Sequence, residues 1–103
     1  VSTPEAAAAV GWATAALTAL AILATLIAAV RIVRGPRHAD RVVALDIFLA
    51  AAVALCVAAS LNTGRTVFLD VAIGLALVGF VATVGWARLI ERSAPSDAAE
   101  PKR

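Results

Sequence analysis

The stretch that decides the fold is residues 42–87, VVALDIFLAAAVALCVAASLNTGRTVFLDVAIGLALVGFVATVGWA. It contains two apolar blocks, 42–61 and 67–87, each carrying a single acid: Asp46 in the first and Asp70 in the second. At about 1.5 Å per residue, each block as a helix matches a hydrocarbon core of roughly 30 Å. The polar connection Asn62-Thr63-Gly64-Arg65-Thr66 is a tight turn, so the two helices must be antiparallel neighbours. Upstream, residues 6–30 hold no charge at all and supply a third crossing. Ser2, Thr3 and Pro4 mark its start as a cap followed by proline in the first turn, with Glu5 favourably placed against the helix dipole. The expected fold is an all-α integral membrane protein of three transmembrane helices, with spans of about 8–30, 42–61 and 67–87 in a membrane domain over 1–92.

Composition supports this. The chain is 62% hydrophobic with a mean hydropathy of +0.94, against an apolar share of roughly 45–50% in soluble domains. The first block lacks a basic leader and is too long for a signal peptide, so it is expected to be retained. Cys56 is the lone cysteine, inside an apolar block, which excludes a disulfide framework and reads as packing. The net charge of +2 does not point to nucleic acid, because the basic residues flank apolar blocks and form no stripe with aromatics between them.

Those basic residues set the expected orientation. Arg31, Arg34, Arg37 and Arg41 fall in the polar loop 31–41, and Arg88, Arg92, Lys102 and Arg103 follow the third span, whereas Arg65 stands alone on the other side. Positive residues stay inside, so the N-terminus is expected outside and the C-terminus in the cytoplasm. Trp12 and Trp86 then fall near opposite interfaces, where indole rings prefer to sit. Residues 93–103 are polar, proline-bearing and too short to fold, and are expected to form a disordered cytoplasmic tail.

Three patterns suggest helix contacts. Gly11, Thr14, Thr18, Ala21, Thr25 and Ala28 form a seam of small and hydroxyl residues, whose threonines can bond across to a neighbour. Asp46, Ala50, Ala54 and Ala58 recur at four-residue intervals, which places the acid on an alanine ridge facing protein. Gly74, Gly79 and Gly85 suggest close backbone approach along the third span.

No nucleophile has a neighbouring base, no glycine-rich loop follows a strand, and no ligand spacing suits a metal, so neither an enzyme nor a cofactor is expected. The chemistry is ionic. Asp46, one turn inside its span, is the first ion-pathway candidate, since an intramembrane carboxylate can bind and release a cation or proton. The competing reading pairs it structurally with Arg41 or a partner's arginine. Asp70 is the second candidate, although an acid near a helix N-terminus is also stabilised without any function. Arg34, Gly35, Pro36, Asp40 and Arg41 form the candidate partner-contact loop, with Gly35-Pro36 stopping one helix and placing proline in the first turn of the next. Its arginines serve topology, or dock on acidic partners or anionic lipid. His38 is a lone loop histidine and rarely a sensor in such a place.

Arg34-Gly-Pro-Arg-His-Ala-Asp-Arg-Val-Val-Ala-Leu-Asp46, followed by Phe68-Leu-Asp-Val-Ala-Ile and Gly79-Phe-Val-Ala-Thr-Val-Gly-Trp-Ala-Arg88, resembles the F subunit of the Mrp (Mnh, Pha) multisubunit sodium/proton antiporters over about residues 30–90. The resemblance implies a small subunit of a hetero-oligomeric complex in a bacterial cell membrane. That complex would exchange sodium, or another monovalent cation, for protons at the expense of the proton-motive force. It further implies that Asp46 matches an aspartate implicated in cation movement, and that larger partners carry most of the proton path. Two other classes compete: a ring-forming proton carrier, which needs a carboxylate at mid-membrane, and a holin-like structural or pore-forming protein whose aspartates serve topology only.

Overall fold

A computed structural model describes residues 3–93 of the chain. It contains three helices, α1 (Pro4–Arg34), α2 (His38–Thr63) and α3 (Val67–Ser93), each long and apolar enough to cross a membrane. The protein is an all-α integral membrane protein with three such helices. Of the expected tail only Ser93 is described, as the last residue of α3; residues 94–103 lie outside the described range.

The helix ends follow from local chemistry. Thr3 caps α1, its Oγ1 accepting a hydrogen bond from the Ala6 N–H at 3.2 Å, and Pro4 occupies the first helical position, where no N–H is needed. Arg31 and Arg34 lie in the last turn of α1, near the negative end of its dipole. At the other connection Gly64 adopts φ 69°, the left-handed conformation that glycine enters without Cβ strain, and its N–H closes α2 on the Ser60 carbonyl at 2.8 Å.

The polar segment between α1 and α2 is mostly helical, because residues 31–34 extend α1 and 38–41 begin α2, leaving only Gly35, Pro36 and Arg37 between them. Pro36 is not in the first turn of α2, in contrast to the expectation from sequence. A residue preceding proline is held out of the helical region, and Gly35 accordingly has ψ 123°. Arg37 is still extended at φ −112°, ψ 148° and serves as N-cap, so α2 begins one residue later.

α2 lies between the other two helices and packs against both, while the backbones of α1 and α3 stay apart. The α1–α2 seam is built from small residues at seven-residue intervals: Thr14, Ala21 and Ala28 on α1, Ala44, Ala51 and Ala58 on α2, all buried. The two rows mirror each other about Pro36, since Ala28 and Ala44 each lie eight residues from it, and Thr14 and Ala58 twenty-two. A seven-residue step turns a helix by only about −20°, so such a row stays against an antiparallel neighbour. Small side chains let the backbones approach closely, the packing mode available where lipid removes any hydrophobic drive between helices. Large side chains point outward instead: Leu20, Ile27, Phe80 and Val81 are all more than half exposed in the isolated chain. In a membrane those faces meet lipid or other proteins.

The threonines of α1 behave differently from the expectation that they bond across the seam. Thr14, Thr18 and Thr25 each donate to the carbonyl four residues earlier in their own helix, at 2.7–2.8 Å. A threonine hydroxyl within a helix can satisfy itself on the carbonyl one turn back, and all three do. Thr14 therefore packs as a small residue. The close backbone approach expected along α3 is not found: at Gly79 a Cβ would make ordinary contact with the Leu49 side chain at 3.5 Å, and Gly74 and Gly85 face open space.

Candidate functional site

Two groups of charged residues can be placed. The first is the clasp between α1 and α2. The Gly35 N–H donates to the Arg31 carbonyl at 2.7 Å, and Arg41 Nε donates back to the Gly35 carbonyl at 3.0 Å. Arg31 Nη2 stands 3.7 Å from Asp40 Oδ2, the only ion pair among the described residues. Gly35 is buried because the chain passes itself here: a Cβ at this position would lie 2.7 Å from the Arg31 carbonyl oxygen and 3.2 Å from Arg41 Cγ. The candidate loop residues thus divide. Gly35, Asp40 and Arg41 hold the connection together, while Pro36 is exposed and Arg34 is exposed at the end of α1.

The second group lies between α2 and α3. Asp46 follows His38 by eight residues, about 12 Å along the helix. Its Oδ1 accepts a hydrogen bond from Thr83 Oγ1 at 3.2 Å. Both line an open cleft of about 450 Å³, walled by Leu49 and Val53 of α2 and by Leu75 and Gly79 of α3. Gly79, one turn before Thr83 on α3, has Leu49 against its open side. The competing reading that Arg41 pairs with Asp46 is not what the structure contains: the Arg41 guanidinium is bonded to the Gly35 carbonyl, and Asp46 is bonded to Thr83.

The alanine ridge does not face a single neighbour. A four-residue step advances a helix by about 40°, so the row from Asp46 through Ala50 and Ala54 to Ala58 winds round α2. Asp46 and Ala50 border the α3 cleft, whereas Ala58 is buried in the row that faces α1. Asp70 sits in the exposed first turn of α3, thirteen residues before Thr83 and hence about 20 Å from the level of Asp46. The two acids are not brought together. Thr83 is not among the candidates read from sequence, yet a signal for it exists: Asp46 is eighteen residues before Gly64 and Thr83 eighteen after Arg65, so a straight hairpin sets them level.

Among the described residues no group of histidine, cysteine and acidic side chains could hold a metal ion by itself. The site offers one carboxylate and one hydroxyl, on a face that no other helix of the described residues covers.

The class so defined is a polytopic membrane protein in which one of two acids within the spans, Asp46, opens to the side of the helices. Residues 39–91 match the family described as multiple resistance and pH regulation protein F (MrpF / PhaF), and the chain belongs to that family. It is 30% identical to a protein of Rhizobium meliloti (strain 1021) named as the F subunit of a probable K(+)/H(+) antiporter, over 82% of this chain and 91% of that one. It is 32% identical to a protein of Bacillus subtilis (strain 168) named as the F subunit of a Na(+)/H(+) antiporter, over 72% of this chain and 81% of that one. No solved structure matches the chain significantly.

Proposed function

We propose that the chain is a non-enzymatic membrane subunit of a multisubunit monovalent-cation/proton antiporter, and that Asp46 with Thr83 forms one station on its cation path. The observation that carries this reading is the Asp46–Thr83 pair in the α2–α3 cleft. An acid in a membrane-spanning segment is costly to hold there without a partner or a task, and this one is bonded to a neutral hydroxyl and to no cation of its own chain among the described residues. Thr83 fixes one oxygen of the carboxylate, and the other is left to accept from, or bind, something else. Two oxygens do not make a cation site, so the remaining ligands come from other subunits packed over the open side. Sodium and protons are the proposed cargo; one relative is named for potassium, so the class is written as monovalent cation.

The chain is placed in the bacterial plasma membrane with its N-terminus outside and the α1–α2 connection in the cytoplasm, which is supported by the clustering of arginines around that connection and after α3. Asp46 then lies toward the cytoplasmic end. Asp70 lies at the outer end, where it complements the dipole of α3. The whole reading is tested in everted membrane vesicles carrying the full set of partner subunits. Cation-dependent proton movement is expected to vanish when this chain is omitted and to return when it is resupplied; exchange at full rate without it refutes the reading.

A further inference from the structure

On the side of the bundle where Trp86 lies there is a second hollow, of about 140 Å³, to which all three helices contribute: Ile32 from α1, His38, Arg41, Val42 and Leu45 from α2, and Trp86 from α3. Its two ends differ in chemistry. His38 and Arg41 stand in the first turn of α2, at the edge of the membrane-spanning stretch, whereas Ile32, Val42 and Leu45 form an apolar floor. Trp86 is 39% exposed and flanks the hollow with an indole, the side chain best suited to the boundary between head groups and acyl chains.

The contrast with the opposite face of the same helix pair is informative. There Arg31 and Asp40 line a hollow together with Ala28 and Ala44 and neutralise one another at 3.7 Å. Here no lining residue is acidic. Arg41 commits Nε to the Gly35 carbonyl, which orients its guanidinium and leaves the terminal nitrogens free to donate. Asp40, the acid of the first turn of α2, lines the other hollow beside Arg31 and not this one.

We infer that this hollow is a binding site for one anionic phospholipid, with the phosphodiester held by Arg41 and His38 and an acyl chain running along Ile32, Val42 and Leu45 beside Trp86. The charge selects an anion, and the apolar floor selects a lipid over a free phosphate, which has nothing to place there. The hollow shares no lining residue with the Asp46 cleft, although Leu45 adjoins Asp46 along α2.

The full chain carrying Trp12→Phe keeps Trp86 as its only tryptophan and can be placed in phosphatidylcholine vesicles doped with bromine-labelled phosphatidylglycerol or bromine-labelled phosphatidylcholine. Quenching of Trp86 is expected to favour the anionic lipid by roughly fivefold, the preference one unpaired surface cation gives. The preference should disappear in His38→Gln with Arg41→Gln and persist in Arg41→Lys, which keeps the charge while losing the bond to Gly35. Equal quenching by the two lipids overturns the site, as does a preference that survives the double substitution. In the assembled complex, a photo-crosslinking residue at Leu45 should capture phospholipid; capture of polypeptide instead assigns the hollow to a partner protein and overturns the proposal.

Discussion

Asp46 and Thr83 are thirty-seven residues apart in sequence and 3.2 Å apart in space, joined by a hydrogen bond from the threonine hydroxyl to the carboxylate across the α2–α3 cleft. Among the described residues, the hairpin that brings them level also leaves their open side without a covering helix. Substitution of Thr83 therefore separates orientation from charge. Thr83→Ser retains the donor and should exchange cations within about twofold of the unmodified complex, whereas Thr83→Val should slow exchange by roughly tenfold, the factor equal to about 1.4 kcal/mol, near the net worth of one hydrogen bond. Initial rates in vesicles, compared at equal complex content, check this; equal rates for Ser and Val would show that the bond is incidental.

The two turn glycines are needed for different reasons, and their alanine variants should differ accordingly. Gly35→Ala places a Cβ 2.7 Å from the Arg31 carbonyl oxygen, a backbone atom that cannot swing aside, so the α1–α2 clasp must open. Gly64→Ala meets nothing within 4 Å but forces alanine to φ 69°, which costs about 1–2 kcal/mol. Thermal denaturation in detergent should show Gly35→Ala as the more damaging of the two, and the reverse order would contradict the close approach at Arg31.

The α1–α2 seam is set by side-chain size. Ala21→Leu or Ala51→Leu adds volume between backbones already packed through alanine and should destabilise by about 1–3 kcal/mol. Leu20→Ala, on a face 65% exposed, should leave the helix pair intact. Disulfide trapping between cysteines introduced at Ala28 and Ala44 reports the seam directly: its yield should fall in the first two variants and hold in the third.

Much of this architecture can be read from the residues. Three crossings follow from the uncharged run before Arg31 and from the two blocks that each tolerate one acid, and the end of α2 follows from Gly64. What sequence leaves ambiguous is rotational. The four-residue row through Asp46 and the seven-residue row through Ala44 are both rows of alanine, and composition cannot rank them; only the faster winding of the first row sends its two ends to different neighbours. Thr83 escapes a reading of the sequence because a hydroxyl in an apolar run carries no mark of its own, and its role emerges only when the hairpin is folded at Gly64–Arg65. The threonines of α1 mislead for the opposite reason, since their hydroxyls are satisfied within their own helix.

Asp70 provides a control. It occupies the first turn of α3, exposed and about 20 Å from Asp46 by helical rise. Asp70→Asn removes a charge that favours the helix N-terminus, worth about 0.3–1 kcal/mol, and should leave exchange within about twofold. Loss of exchange with the complex intact would instead place Asp70 on the ion path.

Orientation is open to chemical labelling. With Cys56 replaced by serine, a cysteine at Arg37 in the α1–α2 connection should react with an impermeant thiol reagent in everted vesicles and stay unreacted in intact cells. Labelling of intact cells would invert the topology and move Asp46 to the outer end.

The most direct test of the central claim is the rate of cation/proton exchange in vesicles whose complex contains Asp46→Ala. The complex should assemble in normal amount, since Asp46 takes no part in the buried α1–α2 seam, and exchange should fall to the level of vesicles lacking this chain. An assembled Asp46→Ala complex that exchanges at the unmodified rate would contradict the account and remove Asp46 from the cation path.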